Sequence, residues 1–181
     1  MNSDKSSLIC SDWHIHSESS YDSTLSLKKI SEAACLLGFT HVGITDHVNF
    51  NDEKFLSDLR LSAKSVNEFR LSCPKFILGV ELTPIEKPLF DHLKNGGTRE
   101  SYVAPVSDVP YEIELAASKD ELIALGVRYA IGASHWRVDS CDARSRTDLD
   151  ECIREWYRQQ LYLACDERVT ILGHPDRKSV V

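Results

Sequence analysis

The sequence predicts an α/β fold in which short parallel strands alternate with helices, and three observations carry that reading. Five apolar runs of strand length recur along the chain, most of the segments between them carry apolar residues at helical spacing, and every run ends in side chains able to bind a metal. In a parallel βα arrangement all those ends lie on one face, so residues far apart in sequence converge there.

The first run is Leu8-Ile9-Cys10, read as a short buried strand, and Asp12-Trp13-His14-Ile15-His16 follows it. Side chains alternate faces along a strand, so His14 and His16 point the same way and can share one ion. Ser17 to Ser23 is polar and reads as a loop. Leu25, Leu27, Ile30, Ala33, Ala34 and Leu37 then recur at helical spacing, with Gly38 placed to end the helix. The second strand is His41-Val42-Gly43-Ile44, closed by Thr45-Asp46-His47. Together these elements make a right-handed βαβ unit.

Asn51, with Asp52 and Glu53 behind it, is expected to cap a second helix. Its apolar stripe is Phe55, Leu59, Ala63, Val66 and Phe69, and Pro74 stops it. Phe76 to Leu82 is the third strand, with Glu81 near its tip. From Thr83 to about Ala117, Pro84, Pro88, Gly96, Gly97, Pro105 and Pro110 break any long helix. An irregular excursion covering the strand ends as a lid is expected there, with His92 on its surface. Ser118 and Glu121 form a capping box before a short helix through Leu122, Ile123 and Leu125. Tyr129 to His135 is the fourth strand, Thr147 caps a long amphipathic helix, and Val169 to Gly173 leads to His174 and Asp176.

The whole of residues 1–181 is the size of one domain with a full core. Its 42% hydrophobic and 27% charged residues are those of an ordinary soluble globular protein, and nothing in them suggests disorder. A net charge of -7 disfavours nucleic acid as a partner and leaves a cationic metal cluster as the natural anion receptor. The polar start and the lack of an 18-residue apolar run speak against secretion or membrane insertion, so the cytoplasm is expected. Six cysteines without a Cys-x-x-Cys pair are expected to be reduced and mostly buried.

The strand ends thus deliver His14 and His16, then Asp46 and His47, then Glu81, then His135, then His174 and Asp176. Mixed imidazole and carboxylate donors suit Zn²⁺, Mn²⁺ or Fe²⁺ better than Ca²⁺ or Mg²⁺. There are more ligands than one tetrahedral ion uses, which implies at least two, and Glu81 can bridge them. Two such ions about 4 Å apart hold a hydroxide and polarise a phosphoryl group, so the residues point to hydrolysis. Asp46 and Asp176 have a second reading, as groups that orient a histidine or cap the next turn.

In order and spacing, Asp12-Trp13-His14-Ile15-His16-Ser17, Ile44-Thr45-Asp46-His47, Gly79-Val80-Glu81, Ser134-His135 and Gly173-His174-Pro175 make the chain resemble the PHP family, the polymerase and histidinol phosphatase domains. The resemblance covers essentially the whole sequence. It implies a distorted TIM-like (β/α)7 barrel, a trinuclear metal site and phosphoesterase activity. By that analogy His14, His16 and Glu81 hold one ion, Glu81, His135 and His174 a second, and His47 with Asp22 a third. Asp22 occupies the loop position where the family carries a histidine or aspartate. Glu81, His135 and Asp46 are the expected catalytic set, and Arg137 and Arg177 are expected to grip substrate phosphate through bidentate contacts. Arg144 and Arg146 read as exposed residues flanking a helix. The family pattern continues with further strands and a late Asp-x-His, whereas the sequence ends at Val181. A barrel truncated after about five β/α units, a piece of a longer protein, is therefore expected.

The implied function is hydrolysis of a small phosphate monoester, histidinol-phosphatase-like, through a metal-bound hydroxide, with two or three Zn, Mn or Fe ions as cofactors. The alternatives are a nucleotide or nucleic-acid 3′-end phosphoesterase and a non-catalytic metal-binding domain. An amidohydrolase-type barrel also opens with His-x-His but needs a metal-bridging lysine on a middle strand, and none of these strand ends has one.

Overall fold

The computed structural model describes residues 10–48, 56–69, 74–98, 101–134 and 149–173. Along the chain the elements are β1 (Ser11–Ile15), α1 (Leu27–Leu36), β2 (His41–Ile44), α2 (Ser57–Glu68), β3 (Lys75–Leu82), β4 (Pro84–Glu86), α3 (Lys87–Lys94), β5 (Ile113–Leu115), α4 (Lys119–Ala124), β6 (Tyr129–Ala133), α5 (Leu149–Cys165) and β7 (Ile171–Gly173). Five strands form one parallel sheet in the order β1-β2-β3-β6-β7, strongly curled into a half-barrel. The remaining two, β4 and β5, pair antiparallel.

Each helix follows from its local sequence. In α1 the Ser26 hydroxyl accepts the Lys29 N–H, Gly38 takes a left-handed backbone at φ 73, and Leu27, Ile30 and Ala34 are buried. Leu25 and Leu37, expected on the same stripe, are exposed because they flank the helix. The capping box at Ser118 and Glu121 is present at the start of α4. Two apolar clusters result. Leu27, Ile30, Val42, Ile44, Ala63 and Val66 pack under β1 and β2, while Leu59, Val80, Leu82, Leu89, Leu115 and Leu163 pack around β3.

Four expectations need correction. The first strand is not Leu8-Ile9-Cys10; pairing begins at Ser11, Cys10 is exposed, and Leu8 and Ile9 lie outside the described residues. Cys35 and Cys165 are exposed as well, so the thiols seen are not core residues. The second helix starts at Ser57 after Leu56, whose buried side chain holds a left-handed backbone at φ 65; Asn51, Asp52, Glu53 and Phe55 lie outside the described residues. The segment after Thr83 is more regular than its prolines suggest. Pro84 opens a strand and Pro88 sits in the first turn of a helix, both positions where a missing N–H does little harm.

One long-range contact shapes the sheet. The Tyr129 ring starts on β6, passes over Gly79 of β3 and Gly43 of β2, and donates its hydroxyl to the Trp13 carbonyl of β1 at 2.6 Å. A Cβ on Gly79 would lie 2.5 Å from the ring, and one on Gly43 would lie 2.9 Å from the Trp13 Cα. Glycine at both places therefore opens the channel that the ring fills. Burial raises the Tyr129 pKa, followed by the charge of Asp12, so the hydroxyl stays a donor. Gly79 and Glu81 share a face of β3, which puts this strap beneath the candidate site. Tyr129→Phe, which keeps the ring and deletes the bond, should cost about 1 kcal/mol in urea unfolding, and Gly43→Ala should cost clearly more by forcing β1 away.

Candidate metal centre

The site is assembled around Glu81, a fully buried carboxylate near the end of β3. Its Oε2 lies 2.9 Å from His14 Nε2, 3.1 Å from His16 Nε2 and 3.7 Å from His47 Nδ1. The other ring nitrogen of His47, Nε2, lies 3.3 Å from Asp22 Oδ2. Among the described residues, ligand atoms thus gather in two groups, His14 with His16 and Glu81, and His16 with Asp22 and His47, each within 4.8 Å of one another.

Local structure explains the convergence. Asp12 pairs with Val42 while Ile15 pairs with Ile44, so β1 carries one extra residue in a bulge at Trp13 and His14. The Asp12 carboxylate accepts the His14 N–H at 3.0 Å, occupying an amide that the bulge leaves off the ladder. The rings of His14 and His16 then stand 5.2 Å apart. His47 arrives from the extension of β2, which bridges to Glu81 itself, and its ring stacks on His16 at 4.5 Å with 10° between planes. Tyr21 lies 5.1 Å from the His47 ring, tilted by 32°.

The electrostatics are those of a cation site. Burial pulls the His16 pKa down, but the hydrogen bond and charge of Glu81, with Asp22 and Asp46, push harder and leave it raised. For Asp22, burial pushes up, while the Ser20 hydrogen bond and the charges of His47 and His16 leave it lowered. Among the described residues, His16 Nδ1 is buried with no hydrogen-bond partner. The Nε2 atoms of His14 and His16 beside one buried carboxylate fit a divalent ion, because all three can give a lone pair to it. The residues present therefore fit the group that the site's chemistry implies. The His14 and His16 side chains are 27% and 22% exposed, so the cluster opens to solvent on their side.

The profile of the PHP domain family matches residues 12–180. The chain belongs to the PHP domain family. Membership implies the metal-dependent phosphoesterase superfamily. No curated protein and no solved structure matches this PHP domain. No helix among the described residues is long and apolar enough to cross a membrane.

Of the residues picked from sequence, the fold of this PHP domain brings together His14, His16, Asp22, His47 and Glu81. His135, His174 and Asp176 lie outside the described residues, as do Arg137, Arg144, Arg146 and Arg177. His92 stands apart on α3, where its Nε2 is 3.0 Å from both the Thr98 carbonyl and the Ser101 hydroxyl. Asp46, expected in the catalytic set, is in neither ligand group: its oxygens accept hydrogen bonds from Ser17 and Ser62. The serines were missed, although Ser62 breaks the apolar stripe of α2 and serines crowd the loop after His16. In the metal-free chain the raised His16 pKa means that its protonated form stabilises the fold below the ordinary imidazole value and that this stability fades as pH rises through the folded value. Nuclear magnetic resonance should place its midpoint above about 6.5, and metal affinity should strengthen as pH rises from about 6 to 8, because the ion competes with that proton.

Proposed function

We propose that this PHP domain hydrolyses a small phosphate monoester of the histidinol-phosphate kind. The observation that supports the reading most is the meeting of His14 and His16 on Glu81, at 2.9 and 3.1 Å, beside the His47 and Asp22 pair. Divalent ions held there would supply Lewis acidity, lowering the pKa of water and neutralising charge on the phosphoryl group. His14, His16 and Glu81 would hold one ion, Glu81 with His135 and His174 a second, and His47 with Asp22 a third, drawn from Zn, Mn or Fe. The curled sheet would then be part of a (β/α)7 barrel.

The chain's own residues supply position and charge. Glu81 is shared by the first two sets, so it would fix their separation from a fully buried place. The open side at His14 and His16 would admit the phosphate, and Arg137 and Arg177 would grip its remaining oxygens. With a net charge of -7, the metal cluster rather than the general surface would draw an anion. Thiols on the surface at Cys10, Cys35 and Cys165 suit the reducing cytoplasm.

Metal-loaded protein should turn over p-nitrophenyl phosphate and histidinol phosphate faster than a nucleotide or a nucleic-acid 3′ end. Glu81→Ala should lower both bound metal and turnover by about a hundredfold or more, whereas His92→Ala should leave both near the parent level. Metal uptake without any turnover would favour a non-catalytic binding domain, and equal effects of the two substitutions would sink the assignment.

A further inference from the structure

Asp46 is fully buried, and among the described residues its side-chain hydrogen bonds come from hydroxyls and an amide. Its Oδ1 accepts the Ser17 N–H at 2.5 Å, and its Oδ2 accepts the Ser17 hydroxyl at 2.7 Å and the Ser62 hydroxyl at 2.6 Å. Ser17 follows His16, Asp46 precedes His47, and Ser62 is the polar residue on the buried face of α2. One carboxylate thus ties the loop after β1, the extension of β2 and a helix at a single point.

The loop beyond that point is knit by serines. Ser17 Oγ accepts the Ser19 N–H at 3.2 Å, and the Ser17 carbonyl accepts the Ser20 N–H at 2.9 Å. Ser20 Oγ accepts the His47 N–H at 3.3 Å and donates to Asp22 Oδ1 at 2.8 Å. Ser23 donates its hydroxyl to the His16 carbonyl at 2.9 Å. These bonds run from Asp46 through Ser17 and Ser20 to Asp22 and back to His16. Both ligand groups contain His16, and one contains Asp22, so the spacing of both is set by where this loop is anchored.

We infer that Asp46 is a positioning residue: it anchors the serine-knit loop and thereby sets the affinity for divalent cation at both ligand groups without touching the ion. The inference rests on the metal-dependent reading above. It replaces a catalytic role for Asp46 with one exerted through His16 and Asp22. Hydrogen bonds to a charged acceptor are strong and directional, and residues that orient metal ligands typically govern affinity by about 10- to 100-fold.

The test uses the full chain, with zinc and manganese each titrated in competition with a chromophoric chelator, and hydrogen exchange of residues 17–23 followed in the metal-free protein. Asp46→Asn should weaken the ions at the two groups that contain His16 by about 10-fold or more and speed exchange across the loop. Asp22→Ala should weaken only one. A merely structural role predicts a lower melting temperature with unchanged affinity and unchanged loop exchange, and that result overturns the inference. If Asp46→Asn fails to fold, Ser62→Ala removes the one bond from outside the loop and serves the same readouts; a severalfold loss of affinity supports the anchor, and no loss overturns it. A parent chain that takes up neither metal overturns the phosphoesterase reading itself, whereas a parent and an Asp46→Asn chain that bind equally overturn only the positioning role.

Discussion

A carboxylate buried to the last square ångström is costly unless its charge is answered, and the arrangement of this half-barrel follows from how Glu81 is answered. Three imidazoles from two other segments reach one of its oxygens at 2.9, 3.1 and 3.7 Å. For that to happen β1 must lie within reach of β3 across the intervening β2, which a flat sheet would prevent and a curled one allows. The curl and the buried charge are thus one requirement met twice, by backbone twist and by side-chain chemistry.

Two devices hold that geometry, one below the ligands and one beside them. Below, Tyr129 spans from β6 to β1 over two glycines, so the depth of the curl is matched to the length of a phenol. Beside, serine hydroxyls connect Asp46, His47, Asp22 and the His16 backbone. Short hydroxyl side chains suit this work, because each bonds a neighbour while losing little rotamer freedom and adding no net charge to a cluster already rich in carboxylates.

The bulge in β1 bears on the same point. A strictly two-residue alternation would place His14 and His16 on one face without further help. The extra residue between Asp12 and Ile15 falls ahead of that step, and the two rings stand 5.2 Å apart and both meet Glu81. The Asp12 carboxylate accepts the His14 amide at the bulge, and bulges are common beside functional sites.

Much of the molecule was legible without coordinates because it is written in local periodicity. The α1 stripe with Ser26 before it and Gly38 behind it, the Ser118 and Glu121 box, and the strand runs ending in His47 and Glu81 all depend on residues a few positions apart. The ligand motifs could be read for the same reason, since histidines and acids at strand tips stand out against polar loops. What only the tertiary structure decided are the contacts between distant segments. Tyr129 bonds a carbonyl 116 residues away, Asp46 gives its oxygens to Ser17 and Ser62 rather than to the ligand groups, and His16 belongs to both of those groups. Pairings of that kind depend on how the sheet curls and which rings find room, and no spacing along the chain encodes them.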